Sequence, residues 1–154
     1  MNAEFLDNTK KKKLISEIEE QYGIDNIPFL IIETGKDKYR IYSGELSKDE
    51  IKELSKSVRI EFIGSKICKK DNVNVRLNFD MLNLPLIKEQ INKNIVEINE
   101  EQIKPWLKGE NVEKNVNLSS SYLVVKNKGD FLGMGQNGKT FIKNYVPKER
   151  RVKG

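Results

Sequence analysis

Three short runs of strand-forming residues near the end of the chain constrain the fold more than any other feature. Apolar, β-branched and aromatic residues dominate 122–125, 131–134 and 140–145, and turn-forming sequences occupy 126–129 and 136–139 between them. Strands joined by such short turns pair as antiparallel neighbours. We therefore expect a β-meander, which together with one helix closes most readily as a small barrel.

A nucleotide-binding pattern overlaps this meander. Residues 133–140, with the sequence GMGQNGKT, satisfy both the G-x-G-x-x-G and the Walker A patterns. A phosphate-binding loop needs a helix directly after it in the chain. Here β-branched and aromatic residues follow instead, and Pro147 would end any helix within two helical turns. We therefore interpret the segment as a hairpin in which Asn137 and Gly138 adopt the positive φ angles of the turn. Gly133 and Gly135 would relieve crowding in a bent strand.

The first half of the chain predicts a small α+β unit with the order α-β-β-α-β-β. Apolar residues at helical spacing indicate a helix over 9–21 that ends at Gly23. Ser47 and Glu50 form a capping box that begins a second helix. The predicted strands are 28–33, 39–42, 58–63 and 74–79.

A second unit begins after a polar connector, 81–94, for which we predict one short helix. The pattern then predicts a strand over 95–99 and a helix over 100–108 that buries Trp106 and ends at Gly109. The fold class is therefore α+β, with a small N-terminal α+β domain followed by a β pseudo-barrel. The three predicted parts are 1–80, 81–94 and 95–154.

Composition excludes much chemistry, because the chain contains no histidine and one cysteine, Cys68. Ser-His-Asp and Cys-His catalysis, imidazole metal sites, intrachain disulfides and thiolate clusters are all excluded. Cys68 has lysine neighbours but no nearby base or resolving partner, so we expect an inert thiol. We predict no catalytic residue, no metal and no cofactor. We also expect a cytoplasmic location and no membrane association, with neither a spanning segment nor a signal peptide.

The positive charge of the chain is concentrated at its end. Residues 1–138 carry 22 basic and 22 acidic side chains, whereas 139–154 carry six basic side chains and one acidic one. The whole net charge of +5 therefore lies in the last sixteen residues. Such a cluster is the electrostatic footprint expected for contact with nucleic-acid phosphates, and an ordinary solvated surface is the alternative.

Several segments of the second half together resemble a PUA domain: IVEIN at 95–99, WLKGENV at 106–112, YLVV at 122–125 and FLGMG at 131–135. The ending IKNYVPKERRV, at 142–152, is similar to that of archaeal proteins related to the accessory C-terminal part of Sun/Fmu-type rRNA cytosine methyltransferases. The resemblance implies an RNA-binding pseudo-barrel of the kind attached to RNA-modifying and ribosome-assembly proteins, preceded by a pre-PUA-like domain, and an archaeal source. It does not extend to a methyltransferase body, so it implies no catalysis.

The spacing of Lys139, Lys143 and Tyr145 predicts two cations and an aromatic ring on one face of a strand. Such a face can hold phosphates and stack on an unpaired base, although core packing for Tyr145 and a solvated turn for Lys139 stay open. Arg150 and Arg151 are adjacent guanidinium groups suited to phosphate. The complete predicted RNA-binding set is Lys108, Lys114, Lys139, Lys143, Asn144, Tyr145, Lys148, Arg150 and Arg151.

The sequence therefore predicts a non-enzymatic RNA-binding protein of rRNA or tRNA modification or ribosome biogenesis, which recognises RNA backbone and shape. The partners that fit this role are rRNA or tRNA and, beyond them, an RNA methyltransferase or ribosomal proteins. One alternative is a protein-interaction adaptor of ribosome assembly whose tail contacts an acidic partner, and a remote one is an NTPase. We expect truncation after Tyr145 to leave the fold largely intact, because the deleted segment is polar.

Overall fold

The structure, a computed structural model, describes residues 3–60 and 63–153. The described part of the first half contains a sheet of five antiparallel strands that lie in chain order: β1 Glu4–Phe5, β2 Leu30–Glu33, β3 Lys38–Tyr42, β4 Ser65–Asp71 and β5 Asn74–Leu77. Two helices accompany this sheet, α1 Asn8–Tyr22 and α2 Lys48–Ser57. A 3₁₀ turn, Phe79–Met81, and the short helix α3, Pro85–Lys88, lead into the second half.

The second half forms another sheet around one helix, α4. Its elements are β6 Ile95–Glu97, α4 Glu100–Leu107, β7 Val112–Glu113, β8 Tyr122–Asn127, β9 Asp130–Asn137 and β10 Phe141–Asn144. The strand order is β6-β8-β9-β10-β7, in which β6 pairs with β8 in parallel and the other pairs are antiparallel. A 3₁₀ turn, Lys148–Arg150, precedes the end of the chain. The α+β class is confirmed, and the curled mixed sheet is a half-barrel consistent with a PUA-like pseudo-barrel after an N-terminal domain.

The helix termini follow the predicted capping residues. Ser47 and Glu50 form a reciprocal capping box at the start of α2, since each side chain accepts a hydrogen bond from the backbone of the other. Gly23 ends α1 with a φ of 86°, and Gly109 follows α4 with a φ of 99°. These left-handed conformations favour glycine because it has no β-carbon. The predicted helices 9–21 and 100–108 are confirmed to within one residue at each end.

One predicted strand of the first half is wrong. Of 58–63, the described residues 58–60 and 63 lie outside strands, and 61 and 62 lie outside the described residues. The strand in this region is instead β4, where Ile67 and Cys68 are buried between lysines on either side. Its polar composition concealed it, because three of its seven residues are lysines and only Ile67 and Cys68 are apolar. The two-residue strands β1 and β7 were also not predicted.

The second hairpin turn differs in detail from the prediction. The positive φ of 68° belongs to Lys139, and neither Asn137 nor Gly138 adopts one. Asn137 holds the turn through its side-chain Oδ1, which accepts a hydrogen bond of 2.8 Å from the Lys139 amide. Gly133 in β9 has a φ of 126°, and a β-carbon on Gly135 would lie 2.3 Å from the Ile142 Cγ2. The expectation that glycine relieves crowding is therefore confirmed at Gly135.

A single cluster of buried apolar residues spans both halves of the chain. Asn94 donates from its side chain to the Gln21 carbonyl at 2.6 Å, and Asn83 donates to the Phe131 carbonyl at 2.8 Å, so polar bonds tie the connecting segment to both halves. A second cluster lies within the C-terminal part and surrounds Trp106, which is fully buried as predicted. Members of the shared cluster include Leu14, Ile18, Tyr22, Val75 and Leu77 from the first half and Tyr122, Val124, Phe131 and Met134 from the second. The predicted domain boundaries stay a prediction.

Within 3–60 and 63–153, no helix combines the length and the apolar character that crossing a bilayer requires.

Candidate nucleic-acid interface

The nucleotide-binding pattern does not form a phosphate loop. Residues 133–140 comprise the second part of β9 and the turn that follows it, and the chain then continues directly into β10. The next helical turn in the described part of the chain is the three-residue 3₁₀ segment Lys148–Arg150. Because a strand and not a helix follows the loop, the arrangement that binds nucleotide phosphates is missing from this segment.

Three of the predicted lysines lie together along the β7–β10 edge of the sheet. Lys139 is exposed in the turn before β10, and Lys143 is exposed on β10 itself. Lys114, also exposed, follows β7, and its amide donates to the Thr140 carbonyl at 3.1 Å. The backbone pairing of β7 with β10 therefore brings Lys114 next to the turn that carries Lys139.

An exposed aromatic residue, Phe141, lies among these lysines and was not predicted. It is two residues from Lys143 on β10, so both side chains project from the same face of the strand. Its ring is 38% exposed and packs over the turn, since a β-carbon on Gly138 would lie 2.4 Å from the Phe141 Cε1. The period-two alternation used for Lys143 and Tyr145 also includes position 141, and this signal could have identified it.

Tyr145 is half-buried and contacts cations from both halves of the chain. The Arg76 Cζ lies 4.5 Å from the centroid of the tyrosine ring, and the Lys143 Nζ lies 5.7 Å from it. The Tyr122 ring packs edge-on against the Tyr145 ring at a centroid distance of 6.0 Å. The Tyr145 hydroxyl donates a hydrogen bond of 3.2 Å to the Gln136 Oε1. The structure thus brings Lys143 and Tyr145 together as predicted, whereas Lys139 lies outside the strand.

Asn144 has a structural role in the domain, and its place in the predicted RNA-binding set stays a prediction. Its side chain is 8% exposed, and its Nδ2 donates to the carbonyls of Trp106 at 2.7 Å and Glu110 at 2.9 Å. Its Oδ1 accepts a hydrogen bond of 2.7 Å from the Val146 amide. These bonds tie β10 to the end of α4 and use both amide protons, so no side-chain donor is left for RNA.

The basic tail is attached to the domain. Arg150 donates two hydrogen bonds to the Asp80 carboxylate, at 2.9 and 3.0 Å, and these bonds raise the pKa of the guanidinium above its ordinary value. Arg151 donates to the Val146 carbonyl at 3.0 Å and packs over Gly109. Val146 is only 1% exposed, so the expectation that truncation after Tyr145 removes purely polar residues is wrong.

The remaining predicted lysines, Lys108 and Lys148, border this tail. Lys108 is half-buried at the end of α4, close to the point where the Val152 amide donates to the Leu107 carbonyl at 2.9 Å. Cations near a helix C-terminus interact favourably with the helix dipole, which gives Lys108 a structural role as well. Lys148 is exposed in the 3₁₀ turn. The tail therefore presents Lys148 to solvent and holds both of its arginines in contacts with the protein.

A basic cleft, which was not predicted, lies where the two halves meet. The cavity has a volume of about 350 Å³. Four cations of the first sheet line it, Lys38, Lys66, Lys69 and Arg76, together with Tyr145 and Pro147 of the second half. These cations come from three strands, β3, β4 and β5, and the pairing of those strands in the first sheet brings them together.

Cys68 is buried beside the basic cleft, and its thiol is unreactive. Its side chain is 6% exposed, and burial raises the pKa of the thiol to about 12, while Lys70 opposes the shift and Glu17 adds to it. A thiol with such a pKa is protonated at neutral pH and is a poor nucleophile. Within the described residues, no group of three or more Cys, Asp and Glu side chains could hold a metal ion.

Comparison with known proteins supports the resemblance noted in the sequence. Residues 93–152 match the family model described as the methyltransferase RsmF PUA domain. No curated protein matches the chain. A PUA domain is an RNA-binding, non-catalytic domain that commonly occurs in RNA modification. The matched region comprises β6 to the tail, so the second half of the chain is a PUA domain related to the C-terminal part of the Sun/Fmu-type methyltransferases.

Proposed function

We propose that this chain is a non-enzymatic RNA-binding protein that acts in rRNA or tRNA modification or in ribosome biogenesis. The observation that carries the proposal is the match of residues 93–152 to an RNA-binding domain whose exposed β7–β10 edge is basic. The concentration of the net charge of +5 in the last sixteen residues supports it. The proposed setting is the cytoplasm of an archaeal cell, and the proposed domains are 1–80 and 95–154 with 81–94 between them.

The proposed RNA face has its centre on the edge formed by Lys114, Lys139 and Lys143, with Phe141 as the exposed ring. Lysines bind the phosphate backbone without regard to sequence, and an exposed aromatic ring can stack on an unpaired base. Lys148 extends the face toward the tail. Lys108, Tyr145, Arg150 and Arg151 would contribute at its margin, and an RNA methyltransferase or ribosomal proteins would be the protein partners of the complex.

The salt dependence of RNA affinity tests this proposal, because each phosphate contact to single-stranded RNA contributes about 0.7 to the logarithmic slope. Four contacts predict a slope of about −3 for the unaltered chain on single-stranded RNA of mixed sequence, measured by fluorescence anisotropy. The double variant Lys139→Ala, Lys143→Ala should reduce the magnitude of the slope by about 1.4. The control is Lys52→Ala, Lys104→Ala, which removes the same charge from two exposed helix positions.

Equal losses in the variant and the control would show that RNA responds to net charge and not to this face. No RNA binding by the unaltered chain would overturn the proposal and favour the protein-interaction adaptor.

A further inference from the structure

Three cations form a row across the first sheet. Lys38 on β3 lies directly opposite Lys69 on β4, and Lys69 lies directly opposite Arg76 on β5. Like charges at directly opposed positions of a sheet destabilise it, because the side chains project from the same face about 5 Å apart. Among the described residues, no ion pair with a carboxylate offsets this repulsion for any of the three. The fold thus maintains a repulsive arrangement that an anionic ligand would relieve.

The row lines a cavity of a size and chemistry that suit such a ligand. All three cations line the cleft of about 350 Å³ between the halves, and Lys66 adds a fourth positive charge. No Asp or Glu is among the described residues of its lining. The row extends over about 10 Å, two strand spacings, which is longer than a single phosphate group. A chain of linked phosphates therefore matches the row better than a free anion does.

Aromatic contacts hold one end of the row in place. The Arg76 Cζ lies 4.5 Å from the Tyr145 ring centroid and 6.0 Å from the Tyr122 ring centroid. The hydrogen bond between the Tyr145 hydroxyl and Gln136 fixes the first of these rings in turn. A guanidinium held in this way loses little conformational freedom when it binds phosphate, which favours binding.

The row also meets the proposed RNA face of the second half. Lys143 on β10 lies 5.7 Å from the centroid of the same Tyr145 ring that Arg76 contacts. The cations of β3, β4 and β5 are therefore continuous, through this ring, with the exposed Lys143 of β10. We call this continuous set the junction strip; it consists of Lys38, Lys69, Arg76, Tyr145 and Lys143.

We propose that the junction strip binds one segment of single-stranded RNA, whose phosphates lie on Lys38, Lys69 and Arg76 and continue to Lys143. The inference rests on the proposed RNA-binding function and adds to it a second phosphate-binding surface on the first half of the chain. The RNA crosses the junction between the halves, so neither half alone provides the complete site.

The test replaces the two lysines of the row that make no aromatic contact, as Lys38→Gln, Lys69→Gln in the full chain. The magnitude of the logarithmic salt slope on single-stranded RNA should fall by about 1.4, for two lost phosphate contacts. The urea midpoint should rise at the same time, because the variant removes the opposed like charges. The control variant Lys52→Gln, Lys104→Gln should change neither quantity.

The variant of the β10 edge, Lys139→Ala with Lys143→Ala, distinguishes failure of this inference from failure of the proposed function. If the edge variant loses slope and the row variant does not, the junction strip is overturned and the proposed function stands. If the row variant loses binding of inorganic phosphate, followed by NMR titration, but keeps its affinity for RNA, the site accepts small anions and the inference is wrong. If the unaltered chain binds no RNA, both proposals fail together.

Discussion

Replacing Asn144 with alanine separates the structural side chains of β10 from those that could contact RNA. The substitution removes three hydrogen bonds, two from the amide to the carbonyls of Trp106 and Glu110 and one from the Val146 amide to the side-chain oxygen. The site is 8% exposed, so water cannot readily replace the lost partners. A net value of about 1 kcal/mol for each bond predicts a loss of about 3 kcal/mol in the free energy of unfolding.

Urea denaturation followed by circular dichroism measures this loss, and a thermal melt should show a fall in Tm of about 9 °C for a chain of this length. Asn117→Ala is the matched control, because Asn117 is exposed in the segment between β7 and β8. The control should change the free energy of unfolding by less than about 0.5 kcal/mol. Under conditions where the variant is folded, its RNA affinity should equal that of the unaltered chain. An Asn144→Ala protein with normal stability and weakened RNA binding would refute the structural assignment.

Three further predictions concern the tail, the thiol and the rejected nucleotide site. Asp80→Asn should strengthen binding to single-stranded RNA and steepen the salt slope, since it frees the Arg150 guanidinium from a competing carboxylate; an unchanged slope would place Arg150 outside the interface. Cys68 should resist iodoacetamide at pH 8 in the folded protein and react in urea, because a pKa of about 12 leaves only about one thiol in ten thousand ionised. ATP and GTP should show no binding in calorimetry, and Lys139→Ala should not alter that result.

The regular elements of the second half could be predicted because their signals are local. The meander follows from β-branched runs separated by turn residues, and the end of α4 follows from Gly109 with its φ of 99°. Strand β4 could not be predicted in the same way. Its burial depends on a partner strand on each side, and its lysines resemble a solvated loop when the sequence is considered alone.

The candidate site shows the same division between local and long-range information. Alternation along β10 predicts that Lys143 and Tyr145 share a face, and the structure brings them together. Alternation alone does not say which face is buried, so it could not show that the Asn144 side chain is buried. The row of Lys38, Lys69 and Arg76 depends on the register of three strands, which composition and spacing do not determine.

The packing of the two halves bears directly on how such a site would work. Tyr122 and Met134 of the second half belong to the same buried cluster as Tyr22 and Leu77 of the first, so movement of one half against the other would expose apolar surface. The distance between Arg76 and Lys143 of β10 is therefore held by the core and not by a flexible linker. Cations kept at fixed separations bind a polyanion with a smaller loss of conformational entropy than cations on mobile segments. The shared core thus gives the junction strip a structural advantage that neither a separate PUA domain nor an unattached basic tail would have.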